Sequence, residues 1–230
     1  MIGVVVPAHN EEKFISICLE SVIDAAAHPD LEGESVEVIV VLDACTDQTG
    51  RLARELGVTT LDIGARNVGL ARQKGACAAI ASGARWMAFT DADCVVAGDW
   101  LVAQLNAQRV LKADAVCGTV SVSDWGVYGE RMQQHFALTY NDNDGHGHIH
   151  GANLGVSVAA YNASGGFTGL VTSEDVALVR ALQDSGANIA WSSAPRVVTS
   201  SRHDFKAPLG FGAELAKIEN ERKWAGSHAA

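Results

Sequence analysis

The sequence predicts an α/β fold, a doubly wound and mostly parallel sheet flanked by helices. Short apolar runs alternate with segments of helical period over roughly the first half of the chain, which is the pattern of strand–helix–strand units. The run "VEVIVVL" is apolar on both faces, as in a strand covered by helices on both sides. With 48% hydrophobic residues, the chain of 230 residues also has enough apolar material for one sizeable core.

The first strand and helix are indicated near the N-terminus. Residues 2–6 form a buried-strand pattern that ends at Pro7, and Asn10 is placed to cap the helix that follows. That helix has a single apolar stripe. Its members are Phe14, Ile15, Cys18, Leu19, Val22 and Ile23.

The remaining elements continue the alternation. Gly57 and Gly83 end two helices, because a residue without Cβ readily takes the left-handed conformation of a helix end. In order, we predict a strand over 36–42, a helix over 46–57, a strand over 58–61, a helix over 68–83, a strand over 86–90, a helix over 100–111, a strand over 115–122 and, after a change of rhythm, a helix over 172–186. No low-complexity linker interrupts them, so we predict a single domain over 1–230.

Charge and composition exclude several classes of protein. A formal net charge of −10 argues against a nucleic-acid-binding surface, which needs a basic patch. The N-terminus has no basic segment before its short apolar run, so we expect no signal peptide, and no apolar run reaches the length of a membrane span. The five cysteines are scattered without a C-x-x-C pair, which favours reduced thiols in a cytoplasmic protein.

Polar side chains follow three of the predicted strands. Sheets of this kind bind ligands beyond the carboxyl ends of their strands. The ends in question carry "PAHNE", "DACTD" and "TDAD". Their convergence at one edge of the sheet indicates a site better than any single segment does.

Asp91 and Asp93 would point to the same face of an extended chain. Two adjacent carboxylates repel each other unless a positive partner is present. A divalent cation such as Mg²⁺ or Mn²⁺ is one such partner. The alternative is an ordinary turn, in which aspartates are common.

Further charged residues are candidates for binding a ligand at the same edge of the predicted sheet. Asp43, at the end of the second strand, could accept a hydrogen bond from a nucleotide base or serve the fold, whereas Asp47 is expected to cap the next helix. Arg66, Arg72 and Lys74 form a basic segment in an acidic chain. Arg72 is the best of them for neutralising a diphosphate, and a solvated helix face is the alternative.

Asp175 has two interpretations. Thr172-x-x-Asp175 fits a capping box, which would make the carboxylate structural. At the start of a helix near a metal-bound phosphate it could instead be a general base. The neighbouring Glu174 points in another direction and need not share that role.

The histidines of "HGHIHG" form a separate candidate. His146, His148 and His150 alternate, so an extended segment would present them on one face, as a Zn²⁺ site requires. The intervening glycines favour a loop at an acceptor site instead. His203 is isolated and by default a surface histidine.

Six segments, taken in order, resemble a family 2 glycosyltransferase with the GT-A fold. They are "VVVPAHNEEKFISICLESV", "VEVIVVLDACTDQTGRLA", "ARNVGLARQKGA", "WMAFTDADCVV", "GANLGVSVAAYNASGGF" and "SEDVAL", and they span roughly 2–182. The resemblance implies a nucleotide-binding half over 1–122 and an acceptor-binding, catalytic-base half over 123–230. The family often has "DDGS" where this chain has Leu42-Asp43-Ala44-Cys45, which weakens inference about the nucleotide base.

The resemblance also implies roles for individual residues. Asp93 would ligate Mn²⁺ or Mg²⁺ directly, Asp91 would hold the ribose or a metal-bound water, and His203 would complete the metal shell. Asp175 would be the catalytic base, in an E-D pair with Glu174. The nucleotide site would comprise Pro7, Ala8, His9, Glu11, Asp43, Asn67, Arg72, Asp91 and Asp93, and the acceptor and donor-sugar side Asn153, Gly165, Gly166, Arg202 and Lys206.

The activity implied is metal-dependent, inverting transfer of a sugar from a nucleotide diphosphate, UDP favoured over GDP, to a hydroxyl acceptor. A nucleotidyltransferase on a similar sheet is one alternative, and a non-catalytic metal- or carbohydrate-binding module is another. The chain lacks the C-terminal membrane segments of processive polysaccharide synthases, which argues against polymer synthesis across a membrane. Peripheral membrane contact and the oligomeric state stay open.

Overall fold

The computed structural model describes residues 1–126, 128–170 and 172–201, which fall into two units. The larger unit comprises Met1–Ser121 and Asp142–Thr199. The smaller unit is made of two stretches of the chain, Val122–Asn141 and a second one that starts at Ser200. The helix Glu130–Thr139 and Val122, the last residue of a strand, belong to the smaller unit. All other described strands and helices belong to the larger unit.

The larger unit is built on a sheet of eight strands. They are β1 Ile2–Ala8, β2 Val36–Asp43, β3 Thr59–Ile63, β4 Trp86–Phe89, β5 Cys94–Val96, β6 Ala115–Val122, β7 Leu154–Ser157 and β8 Ile189–Thr199. Their order across the sheet is β3-β2-β1-β4-β7-β6-β8-β5. The α/β class predicted from the sequence is therefore confirmed.

The first four strands of the sheet are parallel, as the alternating pattern predicted. β1 lies between β2 and β4, with Val5 opposite Ile39 on one side and Phe89 on the other. Every residue of β1 is buried, which explains its unbroken apolar run. The carboxyl ends of β1, β2 and β4 therefore point to the same edge.

The second half of the chain completes the sheet with antiparallel pairs. β7 runs antiparallel to both β4 and β6, and β5 runs antiparallel to β8. β7 thus continues the sheet directly beyond the strand that precedes the aspartate pair. The parallel order, which the sequence predicted for roughly the first half of the chain, holds for β1 to β4, whereas β5, also in that half, pairs antiparallel with β8.

Seven α-helices accompany the described strands. They are α1 Ile15–Ala26, α2 Thr49–Glu55, α3 Val68–Ala81, α4 Trp100–Leu111, α5 Glu130–Thr139, α6 Val158–Ser164 and α7 Glu174–Asp184. The bounds of α4 and β6 are those predicted from the sequence. Gly57 and Gly83 follow α2 and α3 with φ of +75° and +90°, which confirms both predicted helix ends.

A continuous core joins α3, α6 and α7 to one face of the sheet. α3 approaches the sheet closely at Gly75, where a Cβ would lie 2.3 Å from the Val5 Cγ1 atom. Tyr161 of α6 and Leu178 of α7 belong to the same core. This packing places the N-terminal turns of α3 and α7 in one neighbourhood.

Two predicted caps are wrong. Asn10 has φ of +52°, and its Oδ1 accepts a hydrogen bond from the Thr46 backbone N–H at 2.7 Å, so it links two loops instead of capping α1. The capping box at Thr172 is also absent, because α7 begins after Ser173, which has φ of +60° and makes no side-chain cap bond. The N-cap of α2 is Gln48, and Asp47, one residue earlier, accepts from the backbone N–H of Thr49, the first residue of α2, at 3.0 Å, so it supports the helix start from outside the cap position.

The smaller unit has its own apolar cluster. Trp125, Tyr128 and Met132 are buried in it, and Val122 and Phe136 pack against them. Phe136 stacks on Tyr140 with ring centroids 4.4 Å apart. α5 supplies Met132 and Phe136 of this cluster.

Candidate active site

The polar ends of β1 and β2 are joined by direct contacts. His9 Nδ1 lies 2.5 Å from the Asp43 backbone oxygen, and the Glu12 N–H donates to the Asp47 carboxylate at 3.1 Å. Glu11 is buried, and its N–H donates to Thr49 Oγ1 at 2.7 Å. Pro7 and Ala8 are buried within β1 itself.

The Asp43 carboxylate is held by the loop before α3. One oxygen accepts from the Arg66 N–H at 2.7 Å and the other from the Asn67 N–H at 2.6 Å. The Asn67 side chain caps α3 by accepting from the Leu70 N–H at 3.0 Å. Asp43 is only 3% exposed, so its first role is to fix this loop, and contact with a nucleotide base stays a prediction.

Arg72 lies at the centre of a buried charge cluster. Its Nη1 donates to Glu174 Oε1, and its Nη2 donates to Asp91 Oδ1 at 2.5 Å. Arg72 is 3% exposed and Glu174 is 5% exposed. One guanidinium therefore ties the aspartate pair after β4 to the first residue of α7.

The charges of this cluster do not balance. Burial lowers the pKa of the Arg72 guanidinium, but the negative charges of Asp91, Glu174 and Asp175 outweigh it, and the pKa is raised. Burial raises the pKa of Glu174, the Arg72 charge opposes this, and the charge of Asp175 adds to it. Three carboxylates around one guanidinium leave a net negative charge that a cation would reduce.

Asp91, Asp93 and Cys94 could hold a metal ion. Within the described part of the chain they form the only group of its kind, with ligand atoms that all lie within 4.8 Å of one another. Burial, followed by the charges of Asp93 and Asp91, raises the pKa of the Cys94 thiol well above its ordinary value. Because a protonated thiol is a poor ligand for a hard cation, the donor set that fits is the pair of carboxylates, which suits Mg²⁺ or Mn²⁺.

Asp175 is held by the loop that follows the histidines. Its Oδ2 accepts from the Gly151 N–H at 2.8 Å, and its Oδ1 accepts from the Val176 N–H at 2.8 Å. Unlike Glu174 it is only partly buried. Asp175 is thus the member of the E-D pair that a substrate can reach.

His146, His148 and His150, here called the histidine row, stack along one face of their loop. Ring centroids are 5.5 Å apart for the first pair and 5.8 Å for the second. His146 is buried against Trp191, with ring centroids 6.0 Å apart. Among the residues that the structure describes, the row is not one of the groups whose ligand atoms converge on a metal, so the zinc interpretation is not supported.

The row ends beside the candidate base. Burial, followed by the charge of His148, lowers the pKa of His150 to about 4, with Asp175 acting in the opposite direction. Burial, followed by the charge of Asp175, raises the pKa of Cys117 to about 12. The charge of Asp175 thus acts on both a histidine of the row and a core thiol.

Three predicted sugar-side positions have clear structural roles. Asn153 is 1% exposed, and its amide accepts from Trp100 Nε1 at 2.9 Å and donates to two backbone oxygens. It therefore ties α4 to the sheet, and its amide is used inside the protein. Gly165 and Gly166 have φ of +85° and +71°, and they deliver Phe167 into the core.

Gly151 was not singled out from the sequence, and Phe167 was predicted on the acceptor and donor-sugar side rather than beside Arg72. A Cβ at Gly151 would lie 2.5 Å from three atoms of the Arg72 guanidinium, so any larger residue would have to displace that group. The Phe167 ring also faces the guanidinium, with its centroid 5.9 Å from Arg72 Cζ. A glycine directly after the histidines was the only available signal. Arg202 and Lys206, predicted on the acceptor and donor-sugar side, and His203, predicted in the metal shell, lie outside the described residues.

Solved structures that share this architecture define its class. The mannosyltransferase PcManGT from Pyrobaculum calidifontis, solved with GDP-Man and Mn²⁺, superposes with a TM-score of 0.69 at 18% identity, covering 95% of this chain and 60% of that one. Staphylococcus aureus TarS 1-349, solved with UDP-GlcNAc, gives 0.67 at 18% identity, covering 95% and 65%. The fold is that of the GT-A glycosyltransferases.

The family follows from the sequence match. The profile of glycosyl transferase family 2 matches residues 3–165, and the chain belongs to that family. The 4,4'-diaponeurosporenoate glycosyltransferase of Staphylococcus aureus is 40% identical over 60 residues, which are 26% of this chain and 14% of that protein. Family membership favours glycosyl transfer over nucleotidyl transfer and over a non-catalytic binding module.

Across the described ranges, no helix combines the length and the apolar character that crossing a membrane requires.

Proposed function

We propose that this chain transfers a sugar from a nucleotide diphosphate to a hydroxyl group, with a divalent cation and with inversion at the anomeric carbon. The observation that carries the proposal is the Arg72 cluster. It connects the metal-compatible pair, Asp91 and Asp93, to the helix start that presents Asp175. A cation site and a partly exposed carboxylate base within one rigid cluster suit displacement of a diphosphate by a hydroxyl.

Asp175 is the proposed general base. Its carboxylate takes the proton of the acceptor hydroxyl while the hydroxyl oxygen bonds to the anomeric carbon and the bond from that carbon to the diphosphate breaks. The Gly151 N–H fixes one carboxylate oxygen, which orients the base for a single displacement. Attack opposite to the leaving group inverts the configuration, through an oxocarbenium-like state related to that of glycoside hydrolysis.

Asp93 and Asp91 are the proposed metal ligands, with Asp93 the direct one because Asp91 already accepts from Arg72. A bound Mn²⁺ or Mg²⁺ would supply positive charge for the leaving diphosphate. The solved relatives with Mn²⁺, PcManGT and the glucosyl-3-phosphoglycerate synthase of Mycobacterium tuberculosis, support a divalent ion here.

The donor is proposed to carry UDP in preference to GDP. TarS was solved with UDP-GlcNAc and the Mycobacterium tuberculosis synthase with UDP-glucose, whereas PcManGT was solved with GDP-Man. A thermal-shift series with UDP, GDP and their sugars, each with and without Mn²⁺, tests this. A larger shift for GDP would overturn the preference.

The cysteines bear on the compartment. All five are free thiols, which fits a reducing environment and our proposal of a cytoplasmic protein.

Exchange of the base tests the mechanism. Asp175→Asn should lower turnover by at least about 10³-fold, because the amide cannot take the proton, while affinity for UDP with Mn²⁺ changes little. Release of UDP from UDP-sugars, with a panel of hydroxyl acceptors, measures the first, and calorimetry the second. Asp184→Asn, on the exposed end of the same helix, is the control. Transfer that survives in Asp175→Asn would show that another group is the base.

A further inference from the structure

Arg72 has no room to serve as a ligand for the donor. The guanidinium lies against the Gly151 backbone, with no space for a Cβ, and its Cζ is 5.9 Å from the centroid of the Phe167 ring. Phe167 is itself fully buried and packs edge-on against Phe89, with ring centroids 5.0 Å apart. The head group is therefore held by packing against both residues, and only 3% of Arg72 is exposed.

The two carboxylates that Arg72 holds differ in exposure. The Glu174 side chain is 6% exposed and lies inside the protein with the guanidinium. The Asp91 side chain is 37% exposed, so it touches Arg72 on one side and the open edge of the sheet on the other. Asp91 is thus the point at which an internal ion pair reaches the surface of the site.

We infer that Arg72 is a positioning residue which, together with Glu174, fixes the Asp91 carboxylate and the first turn of α7 in one unit, from inside the protein and without touching the donor diphosphate. This inference rests on the proposed function for its catalytic meaning only. It reassigns Glu174, taken from the sequence as part of the catalytic pair, to holding Arg72 in place.

An arginine is needed for this role because of its shape. The planar guanidinium offers two N–H groups in a fixed fork, one for each carboxylate. A lysine keeps the charge but has one nitrogen on a flexible stem, so it cannot hold both carboxylates in the same geometry. Misplacement of reacting groups by about 1 Å can cost about 10²-fold in rate.

The test is a double-mutant cycle with Arg72→Lys and Glu174→Gln. Each single variant should lower kcat of UDP-sugar turnover by 10-fold or more and change the donor KM by less than about 3-fold. The double variant should be no worse than the poorer single variant, because both act through one network. Arg180→Lys, at an exposed position of α7, is the matched control and should behave as wild type.

If Arg72 instead contacts the donor diphosphate directly, the opposite results are expected. Arg72→Lys would then weaken UDP binding and raise the donor KM, Glu174→Gln would not, and the two effects would multiply. That result would overturn the inference.

A readout that needs no turnover separates this inference from the proposed function. Binding of Mn²⁺ in the presence of UDP, followed by electron paramagnetic resonance of the free ion, can be measured for the same four proteins. Non-multiplicative losses of Mn²⁺ affinity support the positioning role even if no acceptor reacts, in which case the proposed function alone fails. Multiplicative losses, or losses in Arg72→Lys alone, overturn it.

Discussion

Removing the last ring of the histidine row should change how stability depends on pH. His150 has a pKa of about 4 in the folded protein, against an ordinary value of 6.5, because of burial and the neighbouring His148, with His146 adding to the effect and Asp175 opposing it. As the pH falls through 6.5, the unfolded chain takes up a proton on this ring, whereas the folded protein does not until about pH 4. Stability that the ring confers above pH 6.5 is therefore lost on acidification.

The size of the effect follows from that gap. At about 1.4 kcal/mol for each pH unit, the interval from 6.5 to about 4 corresponds to roughly 3 kcal/mol in full, and to about 2 kcal/mol at pH 5. In His150→Gln this component should be absent, because glutamine does not titrate. The variant should thus lose less stability than the wild type between pH 7.5 and pH 5, by roughly 2 kcal/mol.

Urea unfolding at intervals of half a pH unit measures this difference. His135→Gln, on α5, controls for the loss of a histidine as such. Parallel pH profiles for the wild type and His150→Gln would refute the reasoning, since they would mean that the ring titrates alike in both states. A direct check is the His150 imidazole signal in NMR, which should stay that of the neutral ring down to about pH 5.

Two further outcomes follow from the cluster. Gly151→Ala should lower the free energy of unfolding in urea by about 1–3 kcal/mol and reduce turnover, because the new methyl group would lie 2.5 Å from the guanidinium. A methyl group at Gly147 meets nothing within 4 Å, so Gly147→Ala should be near neutral. Equal effects of the two substitutions would contradict the packing argument. Asp93→Asn should abolish the stabilisation by Mn²⁺, which for an intact site at 100 times its Kd amounts to about 2.7 kcal/mol. The control Asp24→Asn, on α1, should retain this stabilisation. An unchanged Mn²⁺ response in Asp93→Asn would show that this carboxylate is not a metal ligand.

The parallel half of the fold was readable because its signals are local. Unbroken apolar runs mark strands buried on both faces, and left-handed glycines mark the ends of α2 and α3. Of the strands with antiparallel partners, β6 had a readable apolar run, but β7 and β8 gave no such signal. β7 has four residues, one of them Gly155, and β8 carries serines and Pro195 in its middle, so neither shows a clean period. Their places depend on partners far away in the chain.

In the candidate site, too, some features could be predicted from the sequence and others could not. The closeness of the β1 and β2 ends and the pairing of Asp91 with Asp93 could be predicted, because parallel strands end at one edge. The sequence indicated that Glu174 need not share the role of Asp175, but the contact of Glu174 with Arg72 could not be predicted, since that partner lies 102 residues away, on α3. Asn153 was placed on the sugar side, but its contacts with Trp100 and two strands could only be seen in three dimensions.

The loop that carries the histidine row is anchored at both ends. The Gly145 N–H donates to the Trp191 oxygen at 2.8 Å, and the Gly151 N–H donates to Asp175 Oδ2 at 2.8 Å. Side chains between these two hydrogen bonds can be exchanged while the backbone N–H groups of Gly145 and Gly151 keep their partners. For protein engineering, positions 147, 148 and 150 are therefore the natural place to build a library, provided that the buried His146, the core-packed Ile149 and the flanking glycines are left as they are.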